Sequence, residues 1–181
     1  MLGRYQNFPE NIHRVARFTH RISVRKLQSE ILRTLNQLNE NSFELNAIIS
    51  SSLAKLRVSF EFGIADDLTF NFVDREEVER FRKIAAKEAS PILDFLGVIR
   101  YHAVNNGRLV PLRFDYHFLR FFFYKNNLEL QVAHERGSQR ISLEDLVDFL
   151  KRRINGQLSK DCLKLLNLRE LRTSPAYQEP F

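Results

Sequence analysis

Phe118, Arg120, Phe122 and Tyr124 alternate along one stretch of the chain. Three rings around a guanidinium on one side of a strand have the chemistry to hold a planar, anionic ligand. Rings stack unpaired bases while arginine meets phosphate, and each stacked base contributes roughly 1–3 kcal/mol. The stretch reads as one arm of a β-hairpin. Lys125-Asn126-Asn127-Leu128 sets two residues tolerant of positive φ between runs of β-formers, the signal of a primed two-residue turn. With Asn126 and Asn127 as the turn, Phe123 opposes Leu130, Phe121 opposes Val132 and Leu119 opposes His134, on an apolar face. The alternate face pairs Tyr124 with Glu129, Phe122 with Gln131, Arg120 with Ala133 and Phe118 with Glu135. Arg120 is then diagonal to Glu135 and Gln131. The plainer expectation for this second face is that one of the chain's helices covers it and Glu135 neutralises Arg120, because exposed patches of three large aromatics are uncommon on monomers.

Further cations lie nearby. His134-Glu-Arg-Gly-Ser-Gln-Arg140 leads into a helix capped by Ser142. A glycine loop with Arg136 and Arg140 ahead of a helix start suits a phosphate or carboxylate, although a turn and a cap explain the same residues. It lacks the several glycines and the Lys-Ser/Thr of a nucleotide loop. Arg113, upstream on the strand, adds charge. Lys151-Arg152-Arg153 falls in the last turns of a helix, where cations complement the dipole. Asp74-Arg-Glu-Glu77 has the form of a capping box rather than a metal cluster.

The five histidines, His13, His20, His102, His117 and His134, show no His-x-x-x-His or His-x-His spacing, and Cys162 is the one cysteine. No metal site or cofactor is expected. His117 near Asp115 shares a strand face without being aimed at it, and no Ser or Cys nucleophile has a recognisable elbow. The chain leans away from being an enzyme.

The surroundings must position these residues. At 181 residues the chain is long enough for one buried core without disulfide or metal, read as a single domain over 1–172 with a flexible tail over 173–181. Net charge is +6, unevenly laid down: +4 over residues 1–40, −3 over 41–94, +4 over 95–142 and +1 over 143–181. A basic balance favours polyanions but does not define a fold. There is no apolar h-region near the N-terminus and no run of membrane-spanning length, so a soluble, cytoplasmic protein without a membrane partner is expected.

Hydrophobic periodicity supplies the elements. A strand is expected within Ile12–Ile22. A helix capped by Ser23 carries Val24, Leu27, Ile31, Leu35 and Leu38, and a second helix starts at Ser42 with Phe43, Leu45, Ile48, Ile49 and Leu53. Lys55–Phe62 alternates and, with Leu68–Phe72 after a turn at Gly63–Asp67, makes a hairpin. A helix follows from Asp74, with a short helical turn at Pro91–Leu96. A four-strand meander comes next: Val98–Val104, a turn at Asn105-Asn106-Gly107, Leu109–Phe118, and the hairpin above. Pro111 confines its part of the strand to an edge or a bulge. Helices from Ser142 to a stop at Asn155-Gly156 and from about Ser159 to Leu171 close the chain. The fold class is therefore α+β, a mainly antiparallel sheet of about six to seven strands in two hairpin regions, packed with about five helices.

The function expected from this pattern is non-catalytic binding of an anionic partner, RNA or single-stranded DNA, through Arg113, Phe118, Arg120, Phe122, Tyr124, Arg136 and Arg140. Two alternatives use the same features. One is an interaction subunit whose aromatic face meets another copy or a partner protein. The other is a carrier with an apolar pocket between sheet and helices.

Overall fold

The structure, a computed structural model, describes residues 1–50, 55–161 and 169–170. Alternation with period two generates its sheet. Strand β1 (Arg14–Thr19) is followed by helix α1 (Val24–Asn39), a short β2 (Ser42–Glu44), β3 (Leu56–Asp66), β4 (Thr69–Phe72) and helix α2 (Arg75–Ala85). Then come β5 (Ile92–Asn105), β6 (Arg108–Phe123), β7 (Asn127–Arg136), helix α3 (Leu143–Asp161) and the two-residue β8 (Arg169–Glu170). The strands form one antiparallel sheet in the order β2-β3-β5-β6-β7-β1-β8, with β4 pairing to β3, curled into a half-barrel.

Helix α1 lies against the inner face. Ser23 accepts the Lys26 N–H and starts it, and Leu27, Ile31, Leu35 and Leu38 are all fully buried along one stripe. They meet Val58, Phe60 and Phe62 of β3, Phe95 and Ile99 of β5, and Leu119 and Phe121 of β6 in one core. Helices α2 and α3 pack on α1. Between α1 and α3, Gln157 bonds Gln37 and the buried Glu30.

About five helices were expected, and three α-helices form among the described residues, so the molecule is mostly sheet. Ser42–Glu44 pairs instead with Ser59–Arg57 of β3, and Leu45–Ala47 is a single 3-10 turn. Leu45 and Ile48, three apart and both buried, fit such a turn as well as a helix. Leu53 lies outside the described residues. Pro91–Leu96 is not a helical turn: Ile92 opens β5. Leu93, Asp94 and Phe95 are all buried there, because this part of the sheet is covered on both faces, and a continuous buried run carries no period. Asn155-Gly156 does not stop α3, which continues through Asp161. A Cβ at Gly156 would meet nothing, and one mid-helix glycine costs about 1 kcal/mol, less than the burial of Ile154 and Leu158 returns. The rest of the expected last helix, Cys162 and the tail lie outside the described residues, apart from Arg169 and Glu170.

The two hairpin regions are parts of the same sheet, since β3 pairs with β5 from Leu56↔Ala103 to Phe62↔Gly97. The meander has three strands rather than four, Leu109–Phe118 and Leu119–Phe123 both belonging to the 16-residue strand Arg108–Phe123. Its hairpin turn is Lys125-Asn126, with Tyr124 donating to the Asn127 carbonyl and Phe123 opposite Leu128. Positive φ occurs at neither turn residue. The register is shifted two residues from the expected one, so Arg120 faces Gln131 and Phe118 faces Ala133. A shift of two preserves the faces: Leu119, Phe121 and Phe123 point into the core as expected.

Candidate functional site

The outer face of β6 is an aromatic ladder, Phe114, Tyr116, Phe118 and Phe122, interrupted by Arg120. Part of it is closed, and among the described residues no helix does the closing. The N-terminal segment lies over it: Gly3 donates to the Ala65 carbonyl, Asp94 donates from its backbone to the Gly3 carbonyl, and the Tyr5 N–H reaches Asp94 Oδ2 at 2.8 Å. Tyr5 stacks on Phe118 with ring centroids 5.6 Å apart, and Phe8 and Phe70 flank the same ring. Phe8 also sits under Arg120, whose guanidinium carbon is 3.9 Å from the ring centroid. Arg120 pairs with Asp94, its neighbour across β5, through two bonds of 2.7 and 2.8 Å, not with Glu135. Asp94 is fully buried. Bidentate geometry, low exposure and a third donor from Tyr5 make this a committed pair.

Towards the far end of β6 the same face is open. Phe114 is 43% exposed and meets Tyr116 edge to face at 5.2 Å. The Arg100 guanidinium lies 5.9 Å from the Phe114 ring and that of Arg136 4.7 Å from Tyr116. Two rings are thus each accompanied by a cation. Strand register accounts for the grouping, since Arg100 opposes Phe114 on β5 and Arg136 opposes Tyr116 on β7. Arg100 also pairs with Glu61 of β3, and both side chains are 44% exposed. Beyond Tyr116, β6 has no partner on the β7 side among the described residues. The β5–β6 arm ends in the turn Asn106-Gly107, both at positive φ, as a primed turn requires. Near it Val104, Leu109, Val110 and Leu112 are exposed. The ladder shifts at Tyr101/His102, opposite Pro111, leaving Leu112 as the extra residue of a bulge.

The inner side at this end holds a polar cluster. Tyr101 donates to Asp115 Oδ2 at 2.7 Å, and the Gln139 N–H donates to Asp115 Oδ1 at 2.9 Å. The loop weighed as an anion cradle therefore directs an N–H at the chain's own carboxylate. Burial raises the Tyr101 phenol far above its ordinary range, with Asp115 adding to the rise. His117, 1% exposed, has no hydrogen-bond partner for either ring nitrogen among the described residues, and its ring lies 5.1 Å from that of His134. Burial, and then the neighbouring His134, lower its pKa from 6.5 to about 4, against an opposing pull from Asp115. It is a neutral imidazole near neutral pH. No group of three or more His, Cys, Asp or Glu among the described residues is arranged to hold a metal.

The seven residues selected from sequence thus fall in four places. Phe118, Arg120 and Phe122 share the face on which the N-terminal segment lies. Tyr124, 52% exposed, lies at the hairpin end beside Arg17, where the two help line a shallow depression. Arg136 belongs to the open strip, while Arg113 opposes the buried Tyr101 and Arg140 sits 6.0 Å from its ring, on the other side of the sheet. Sequence reasoning passed over Arg100, Phe114 and Tyr116. Phe114 and Tyr116 share the parity of Phe118, a signal present in the sequence, whereas Arg100 required the β5–β6 register. Compared with protein-family models, curated proteins and solved structures, the chain matches none.

Proposed function

We propose that this protein is a non-catalytic binder of single-stranded nucleic acid, which lies along the outer face of the β5–β6 arm. The observation that carries this reading is the exposed Phe114 with the half-buried Tyr116 beside it, Arg100 and Arg136 being set over their rings. A base has a π-face for each ring, and the guanidiniums turn from ring to phosphate as the strand arrives. The Arg100–Glu61 pair is no obstacle, because an exposed ion pair is worth at most about 1 kcal/mol and phosphate replaces the carboxylate. From residue 95 to residue 114 the chain holds Arg100 and His102 on the outer face, Arg108 and Arg113 on the other, and no acidic residue, which favours an anionic partner over a second, equally basic copy. The α1 stripe packs into one core with the inner face of the sheet, which gives an apolar ligand no comparable support.

The test is fluorescence anisotropy with a labelled oligo-dT or oligo-rU strand. Phe114→Ala weakens binding by about tenfold, within the range for one stacked base, without lowering thermal stability by more than a few degrees. Equal affinity of the parent and the Phe114→Ala, Tyr116→Ala double variant, or retention no greater than a plain cation exchanger gives, would overturn it.

A further inference from the structure

The open strip does not end at Phe114. By strand alternation and the register His102↔Pro111 and Val104↔Leu109, the outer face continues from the rings through Pro111 to Leu109 on β6, with His102 and Val104 beside them. From Tyr116 to Leu109 this spans about 23 Å at 3.3 Å per residue. Its chemistry changes along that length. Rings and guanidiniums occupy one end, while Val104 and Leu109, 51% and 53% exposed, sit at the other beside the Asn106-Gly107 turn. Aliphatic side chains have no π-face to stack a loose base. They do cover a flat apolar surface, and the flat apolar surface of a nucleic acid is the outer face of a terminal base pair. Leucine and proline act in this way when they wedge against base steps.

We infer that the protein recognises the junction between a single strand and a duplex, the strand lying on Phe114 and Tyr116 and the aliphatic tip of the arm covering the last base pair. This rests on the single-strand reading and adds the class of nucleic acid to it. Charge argues for this occupant: between residues 95 and 114 the arm carries Arg100, Arg108 and Arg113 and no acidic side chain to repel the duplex phosphates. The edge of β6 argues against strand pairing with another chain, because Pro111 lacks a donor and the bulge at Leu112 distorts the ladder.

The experiment compares three labelled probes by anisotropy: a single oligo-dT strand of about 12 nucleotides, a blunt hairpin duplex, and that hairpin carrying the oligo-dT as an overhang of either polarity. One polarity of overhang hairpin binds roughly tenfold more tightly than the single strand, the size expected from burying two aliphatic side chains. Val104→Asn with Leu109→Asn abolishes that preference and leaves single-strand affinity within about twofold. Both positions are exposed, and unchanged thermal melting verifies the fold. A single strand that binds as tightly as either overhang hairpin overturns the junction inference and leaves the single-strand reading standing. A preference that survives the double variant also overturns it. Absence of single-strand binding removes both readings. A dimer that the tip substitutions convert to monomer makes the tip a self-association surface and overturns the inference.

Discussion

At the scale of single residues, two side chains that look functional in sequence are held by the chain itself. Arg120 stands among rings, yet its guanidinium is taken by Asp94 and its face by Phe8. Removing one member of a buried pair leaves a charge without compensation, at a cost of about 3–5 kcal/mol. Arg120→Ala is therefore expected to lower the melting temperature by about 10 °C. Arg120→Met combined with Asp94→Leu recovers part of the loss, because both charges leave together while the Tyr5 N–H loses its acceptor. Calorimetry of the three proteins decides the matter, and an Arg120→Ala protein as stable as the parent would show the pair to be idle. His117 behaves differently. Its folded pKa of about 4 lies below the usual 6.5, so between those values the unfolded chain binds a proton that the folded chain refuses. Stability is full above about pH 6.5 and falls as pH drops towards 4, by up to about 3 kcal/mol from this group. His117→Leu has no proton to exclude and satisfies no fewer partners, so urea unfolding at pH 7 finds it within about 1 kcal/mol of the parent. At pH 4.5 it is the more stable protein. An unchanged loss on acidification would assign the effect elsewhere.

At the scale of elements, the loop between β7 and α3 shows how a plain turn becomes a structural pin. Gly137 has φ +123°, and a Cβ there would stand 2.1 Å from Asp115 Oδ1 and 2.5 Å from the Phe114 carbonyl. Gly137→Ala is expected to cost about 3 kcal/mol or more, combining backbone strain with displacement of the loop that bonds Asp115. Denaturant unfolding measures it, and a neutral result would mean that the loop rests elsewhere. Most elements were legible because each needs only its own period: the α1 stripe, the alternation of β3, the Asp74 cap of α2. The faces of β6 were legible although its register was not. Asn126-Asn127 and Lys125-Asn126 place the turn one residue apart and the pairing two apart, and a slip of two leaves every side chain on its own side. What was hidden depends on contacts distant in sequence. Pro91 resembles a helix start, so β5 was read from Val98 onward. Asp94 was then absent from the sheet, and Arg120 was matched to Glu135 in place of its true neighbour. The N-terminal cover carries no period at all, and only the positions of Tyr5 and Phe8 against Phe118 reveal it.

At the scale of the whole molecule, charge is sorted along the fold. Residues 95–142, which supply most of β5 and all of β6 and β7, carry +4, against −3 over residues 41–94. With a further +4 over residues 1–40, a polyanion is drawn to these parts of the molecule rather than to the side of β3, β4 and α2. Three exposed arginines are offered to phosphate, Arg100 and Arg136 on the open strip and Arg108 at the tip of the arm. Neutralising three phosphates of a single strand releases counterions with a slope of log K against log salt of about −2. Arg136→Ala removes one contact, and the slope is expected to fall to about −1.4, with affinity weakened at every salt concentration. Arg120→Met with Asp94→Leu, which alters a charge pair turned away from solvent, leaves the slope unchanged. Titration of oligo-dT at several chloride concentrations separates these outcomes. A slope that responds to the Arg120 pair and not to Arg136 would move the binding surface back to the face on which the N-terminal segment now lies, which requires that segment to be displaced on binding.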